Sequence, residues 1–536
     1  MTNTDPCNLL TDRWLTVRLA NGDTEKIAPK EIGREDILDI AAPRADFRGA
    51  LYQFLIGLLQ TAFAPESLKE WRKWWREPPA PEMLATAFEP YSAAFVVNAP
   101  MGEPAFMQDL QLTLDEVIQI EELLFGSPGK NTRDLNIDHF IKRSSITKVS
   151  AHWAAILLYS HQINTAGSGP GHRVTLRGGG PLTTLVLPPE SSSPRPFWQR
   201  LWLNILPSDH FSQIHGNHEL KALADIFPWM APTRTSEKNQ KTLPSDVNPL
   251  QMYWPMPARI RVAWESSGED MICDISGLAT RHFARKVARK NKGINYSGPW
   301  VHPLTPYHYE KPDEPISLKG READAGYKNW LALVLGNKNN HTEPATVVRH
   351  AIDRFRSVGM ADEEARIWGF GYDLDSAKAK CWYESEMPVL PISGEQANEL
   401  AYRVETVLKA ANATLDILKK SLKVAFFRDP KNDKNAKQFL SKTPHIDANF
   451  WSTTEAPFYC LLQQLVEQLD DEDAIDALLK KWADTLKDEA RKLFDQYALS
   501  SLNEDGDLKR VVKARDGKGG LNPQLNGSRA LKNLAA

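Results

Sequence analysis

Cysteine is scarce in this chain. Four occur in 536 residues, Cys7, Cys273, Cys381 and Cys460, far apart and with no CxxC spacing. That excludes a disulfide framework and a four-thiolate zinc site. Long apolar runs are missing as well: ALYQFLIGLLQTAFA, the best of them, is too short and too polar to span a bilayer. The opening MTNTDPCNLLTDRW lacks the basic and apolar blocks of a secretion signal, so the expected compartment is the cytoplasm, with no membrane partner. Neither sign of charge is in excess. The 65 Lys and Arg against 68 Asp and Glu leave a formal charge of −3, so any contact with a polyanion must come from local patches. No internal repeat is visible, and HExxH, GxSxG and a convincing carboxylate pair are all absent, so no catalytic residue is assigned.

What is present suits a soluble globular protein of two to four domains, 42% hydrophobic and 25% charged. Trp14–Leu19 reads as a strand running into the turn Asn21-Gly22, and Asp46–Phe63 as a buried helix apolar on most faces. GPLTTLVLP (180–188) and ARIRVAW (258–264) read as strands, the second with Ile260, Val262 and Trp264 alternating against Arg259 and Arg261. Residues 189–257 and 310–345 read as irregular loops, the former with short helices. Near Pro388–Ser393 the texture changes. From Gly394 onward long helical stripes take over, as in Leu479, Trp482, Leu486, Ala490, Leu493 and Tyr497. Such stripes must bury against one another. The expected class is therefore α+β: a large mixed body, 1–393, followed by a C-terminal antiparallel helical (four-helix) bundle, 394–536.

One stretch stands out for chemistry. NTAGSGPGHRVTLRGGGPLTT (164–184) holds six glycines, Gly167, Gly169, Gly171, Gly178, Gly179 and Gly180. It is not a P-loop, lacking Gly-Lys-Ser/Thr at a helix start, nor a dinucleotide fingerprint, lacking a strand–glycine–helix unit. On pattern alone it reads as a surface loop followed by a tight turn. His210, His215 and His218 form the only histidine cluster and would be the ligands of a metal-dependent nuclease, although no Cys or Asp signature accompanies them. RHFARKVARKNK (281–292) carries Arg281, Arg285, Lys286, Arg289, Lys290 and Lys292 with no acid, which suggests a polyanion partner. A second basic run lies between Lys419 and Lys442. A sequence-indifferent scaffold protein is the third reading.

NLLTDRWLTVR at the start, PAFMQD (104–109), LRGGGPLTTLV (176–186), WVHPLTP (300–306) and GFGYDLDSAKAK (369–380) follow in order along the chain. Together they resemble the large subunit of the type I-E CRISPR Cascade complex, the CasA family. The resemblance implies a non-catalytic protein without cofactor or metal. It implies recognition of the protospacer-adjacent motif (PAM) in double-stranded target DNA, largely through the minor groove, whose hydrogen-bonding pattern is degenerate. Strand separation, R-loop formation and recruitment of a helicase-nuclease follow, with CRISPR RNA and the other Cascade subunits as further partners. Residue by residue, the family's motif-reading loop falls on Ala166, Gly167, Ser168, Gly169, Pro170 and Gly171. Its groove-reading lysine aligns with Asn291, which points to the basic segment Arg289, Lys290 and Lys292. The strand wedge falls on Asp375, Ser376 and Ala377, and the CRISPR RNA and subunit loop on His139, Phe140, Ile141 and Lys142. A cysteine cluster that binds zinc in some relatives is reduced here to Cys273.

Overall fold

The chain opens with local pairing. Leu15–Leu19 buries Leu15 and Val17 on one face, turns through Asn21-Gly22, and pairs antiparallel with Thr24–Ile27 from Leu15↔Ile27 to Arg18↔Thr24. Ile37–Ile40 closes the other edge of this small sheet. The computed structural model describes residues 6–127, 145–167, 169–189, 194–216, 219–311, 314–321, 326–337, 339, 341–360, 365–375, 378–390, 392, 394–441, 443–500 and 507–534.

The helix Ala45–Ala62 is apolar around its circumference, and fifteen of its eighteen residues are buried, the condition for a helix inside a core. Ala151–Asn164, buried along nearly its whole length, packs beside it. Phe54 sits at the centre of an aromatic cluster, edge-to-face with Phe95, Phe106, Tyr159 and Trp254 at 5.8–5.9 Å between ring centroids. Such pairs add about 0.5–1.5 kcal/mol each beyond the apolar area they bury. The irregular region after residue 194 contributes Trp198, Trp202, Trp229 and Trp254 to this core, all fully buried. The indoles of Trp71 and Trp202 each donate to the other's backbone carbonyl, at 3.2 and 2.9 Å. Buried tryptophans with satisfied N–H groups are what hold a segment with so little regular structure in place.

Two further sheets carry the residues of interest. Thr183–Leu187 pairs antiparallel with Ala365–Asp375, Phe370 opposite Thr183, and Lys378–Val389 pairs with the other edge of that strand. In the second sheet Ala279–Lys290 is central, flanked by Arg259–Ile272 on one side and by the short strands Val117–Gln119 and Val149–Ser150 on the other.

The chain divides into two compact units, one of Met1–Gly320 with Asn340–Glu386, the other of Arg321–Asn339 with Met387–Ala536. The second is the helical bundle. Its long helices are Gly394–Phe426, Pro444–Glu467 and Glu472–Ser500, and the short helices Leu508–Asp516, Leu521–Gly527 and Arg529–Lys532 pack on the first of them in the fourth position. Leu479, Trp482, Leu486, Ala490 and Leu493 are buried, as a single stripe requires. An aromatic plug from 321–339 completes the unit: the Tyr327 ring stacks on Phe458 at 4.1 Å, and its hydroxyl hydrogen-bonds Thr454 Oγ1 at 2.9 Å. No helix among the described residues is long and apolar enough to cross a membrane.

A candidate nucleic-acid interface

The glycine loop begins where the buried helix Ala151–Asn164 ends. Gly180 N donates to Asn164 O at 3.0 Å and Thr175 N to Thr165 O at 2.9 Å, so residues 165–175 form an excursion closed at its base. Gly167, Gly169 and Gly171 have φ of +67°, +92° and +80°, a region that side chains strain to enter. Gly169 and Pro170 are exposed at the tip. Ser168 lies outside the described residues.

The loop rests on the basic segment, some 120 positions further along the sequence. Lys292 N donates to Gly171 O at 2.7 Å, and a Cβ on Gly171 would lie 3.1 Å from the Asn291 side-chain nitrogen. Lys292 itself holds a φ of +58°, which costs a non-glycine residue about 1–2 kcal/mol. Lys290, Asn291 and Lys292 are all exposed. Asn291, standing where the resemblance places a lysine, braces the loop. Ser236, unremarked in the sequence, ties the neighbourhood together: its N–H donates to Lys292 O at 3.1 Å and its hydroxyl accepts from Arg173 Nε at 2.8 Å.

The rest of the basic run is not the unopposed stretch that its sequence suggests. It forms a strand, and its antiparallel neighbour supplies acids: Arg281 pairs with Asp270 at 2.8 Å and Arg285 with Glu265. Arg289 is half-buried, and its buried Nε has no hydrogen-bond partner. Burial lowers its pKa, with Glu122 pulling the other way. The histidines beside it respond. His161 falls to about 3, from burial first and the Arg289 charge second, and His172 is lowered by the same two causes. Arg289 is thus set back from the surface, and Lys290 and Lys292 are the cations beside the loop.

The second glycine cluster lies behind the first. A Cβ on Gly179 would sit 2.4 Å from the Cβ of Ala166, the first loop residue, and one on Gly180 would sit 2.7 Å from Leu374 Cδ1. The tight turn therefore touches both the loop and the strand that ends at Asp375. Beneath it, the fully buried Arg177 donates only to neutral oxygens: Thr183 Oγ1 and Thr305 Oγ1 at 3.0 Å and Gln53 Oε1 at 2.6 Å. Burial brings its pKa down to about 10. Lys319 Nζ donates to Arg177 O at 3.2 Å and to Ser317 Oγ at 2.7 Å, and burial with the Arg177 charge brings it down to about 8.

Asp375 is exposed at the end of its strand, 4.0 Å from Lys380 Nζ. Ser376 and Ala377 lie outside the described residues, as do His139, Phe140, Ile141 and Lys142. Of the histidine cluster, His218 is likewise outside. His215 packs on Phe211 with ring centroids 4.6 Å apart, its pKa brought down to about 4 by burial, while His210 faces His350 at 5.3 Å. Neither belongs to a group of three metal-ligating side chains among the described residues. Lys419, which opens the second basic run, is buried in the bundle on Asp447 at 2.7 Å.

The geometry offers an exposed main-chain loop with two lysines at its flank and a strand end behind it, suited to a groove and its phosphates. Residues 8–493 match the family model for CRISPR-associated protein Cse1. The fold is similar to that of CasA from Thermus thermophilus, at 14% identity and a TM-score of 0.67, covering 99% of each chain. It is similar to Cse1 of Thermobifida fusca at 18% identity and 0.66, covering 99% of this chain and 97% of that one. A chain of a CRISPR RNA-guided surveillance complex matches at 16% identity and 0.63, covering 99% of this chain and all of the other.

Proposed function

This chain belongs to the family of CRISPR-associated protein Cse1, the large subunit of the type I-E Cascade complex, and from that premise we propose that it reads the protospacer-adjacent motif in duplex DNA with the main chain of Ala166–Gly171. A glycine-lined loop can enter the minor groove where a side chain would collide with the sugar edges, and its N–H and C=O groups can then bond to base edges. Lys290 and Lys292 hold the flanking phosphates. Asp375, the last residue of its strand, acts with the next two residues, Ser376 and Ala377, as the wedge between the first separated bases. His139, Phe140, Ile141 and Lys142 engage the CRISPR RNA and neighbouring subunits. The body, 1–393, reads the motif and docks into the complex, and the bundle, 394–536, holds the displaced strand and recruits the helicase-nuclease. The protein performs no cleavage of its own, and it acts in the cytoplasm.

The observation that carries this reading is the hydrogen bond from Lys292 N to Gly171 O, which joins the loop and the cations into one surface. Gly169→Leu tests it. A Cβ there meets only His172 Cδ2, at 3.7 Å, so the substitution clears the packing, and its strain, at a φ of +92°, falls on the exposed tip of the loop. Complex reconstituted with CRISPR RNA should assemble normally and lose roughly a hundredfold in affinity for duplex bearing the motif, the size of one or two base contacts. Undiminished preference for the motif would overturn the assignment.

A further inference from the structure

Three side chains outside the proposed interface converge near the start of the chain. Cys7 Sγ lies 3.0 Å from His152 Nε2, and Asp12 Oδ2 lies 2.9 Å from that same nitrogen. The three atoms fall within 4.8 Å of one another, the one such group among the described residues. The His152 N–H and the Cys7 S–H can each be directed at the Asp12 carboxylate, which hydrogen-bonds both side chains. A divalent cation would satisfy all three at once.

Each donor is also held from behind. Cys7 N donates to Asn98 Oδ1 at 2.6 Å, and Asn8 N donates to Asp12 Oδ2 at 3.0 Å. The Trp14 indole stacks on the His152 ring, centroids 5.7 Å apart and planes 7° from parallel. Such partners fix the direction of a ligand before the metal arrives. A thiolate, an imidazole and a carboxylate are the ligand types of zinc, at about 2.3 Å to sulfur and about 2.0 Å to nitrogen or oxygen. Tetrahedral binding would spread the donors by only a few tenths of an ångström. The Asp12 and His152 side chains are 32% and 27% exposed, which leaves room for water as a fourth ligand.

We propose that Cys7, Asp12 and His152 bind one Zn²⁺ ion, with water in the fourth position. Binding replaces the Cys7 thiol proton, which passes to solvent. The ion staples the N-terminal segment to the helix Ala151–Asn164, whose far end launches the glycine loop. The spacing, with ligands at 7, 12 and 152, hides the set from any sequence motif, and it shares no residue with Cys273.

The full chain, stripped of metal by chelator dialysis, should take up one equivalent of Zn²⁺ in competition with a chromophoric chelator and gain thermal stability. Co²⁺ in its place should give a thiolate-to-metal charge-transfer band with tetrahedral d–d bands. Cys7→Ser and His152→Gln should each weaken binding at least about tenfold, whereas Cys460→Ser should leave it unchanged. No stoichiometric uptake by the unaltered chain, or uptake of Co²⁺ without the charge-transfer band, overturns the site whether or not the variants fold. So does unchanged affinity in a folded Cys7→Ser protein.

Discussion

A side-chain carbon added to Gly169 would meet only the edge of the His172 ring, 3.7 Å away, whereas one added to Gly179 would lie 2.4 Å from the Cβ of Ala166 and 2.5 Å from its Cα. The two glycine clusters sit within one short stretch and do opposite work. The first supplies left-handed backbone conformations and, at its tip Gly169, an open outer face. The second supplies room, letting a turn press against both the loop and Leu374. Their lysines differ in the same sense: Lys290 and Lys292 are exposed beside the loop, and Lys319 is half-buried beneath the turn. Glycine content alone therefore does not mark a binding loop; what a Cβ would meet does.

The largest effect that would break this contrast is on stability. Gly179→Val should cost about 3 kcal/mol, the upper end for overpacking, because the atoms in its way include backbone. Calorimetry or a urea titration of the full chain reads it. A near-neutral result would mean that the turn relaxes freely and that the clusters are equivalent.

A smaller effect separates the cations. Removing Lys290 and Lys292 together should lower the slope of log affinity against log salt by about 2, one for each phosphate that is no longer neutralised. Arg289→Ala should leave the slope unchanged, since that guanidinium is set back beneath the loop. Equal slopes for the two variants would erase the distinction between the exposed and half-buried members of the run.

The most gradual effect is a pH dependence of the turn. The folded pKa of Lys319 is depressed to about 8 from an ordinary 10.5. Between those values the unfolded chain binds a proton at this site that the folded chain does not, so stability should rise with pH across that window. Subtracting the profile of Lys319→Met, which cannot titrate, from that of the unaltered chain isolates this rise from the buried tyrosines. A flat difference would mean that Lys319 keeps its proton beside Arg177.

Much of the scaffold was legible in the sequence because its signals are local. The strand at 258–264, the apolar helix after Asp46 and the stripe from Leu479 to Tyr497 each reflect a period set by one element, although Arg261, expected on a polar face, is buried with its guanidinium on the carbonyls of Ala99, Pro100 and Glu103. The plug at Tyr327 was not legible. Its surroundings are polar and rich in breakers, and Trp451, Thr454, Phe458 and Trp482, more than a hundred positions away, give that tyrosine a place. The basic strand misled for the same reason. Asp270 and Glu265 face Arg281 and Arg285 only once two strands have paired with a register shift between them. The resemblance marked the loop and the segment around Asn291 as separate stretches, and pairing them required the Lys292–Gly171 bond.

The contact of Gly180 with Leu374 also bears on the order of events at the ribosome. A nascent chain that has reached residue 300 already contains the loop, the lysines and both strands of the basic hairpin. It still lacks the strand Ala365–Asp375 that pairs with Thr183–Leu187 and backs the turn. Contacts at such sequence separation close late, after the entropy of a long loop has been overcome. Until that strand arrives the turn lacks its contact with Leu374, so the growing polypeptide carries the parts of the proposed interface without their full support. On the function proposed above, competence to engage duplex DNA is deferred until most of the first unit has been synthesised.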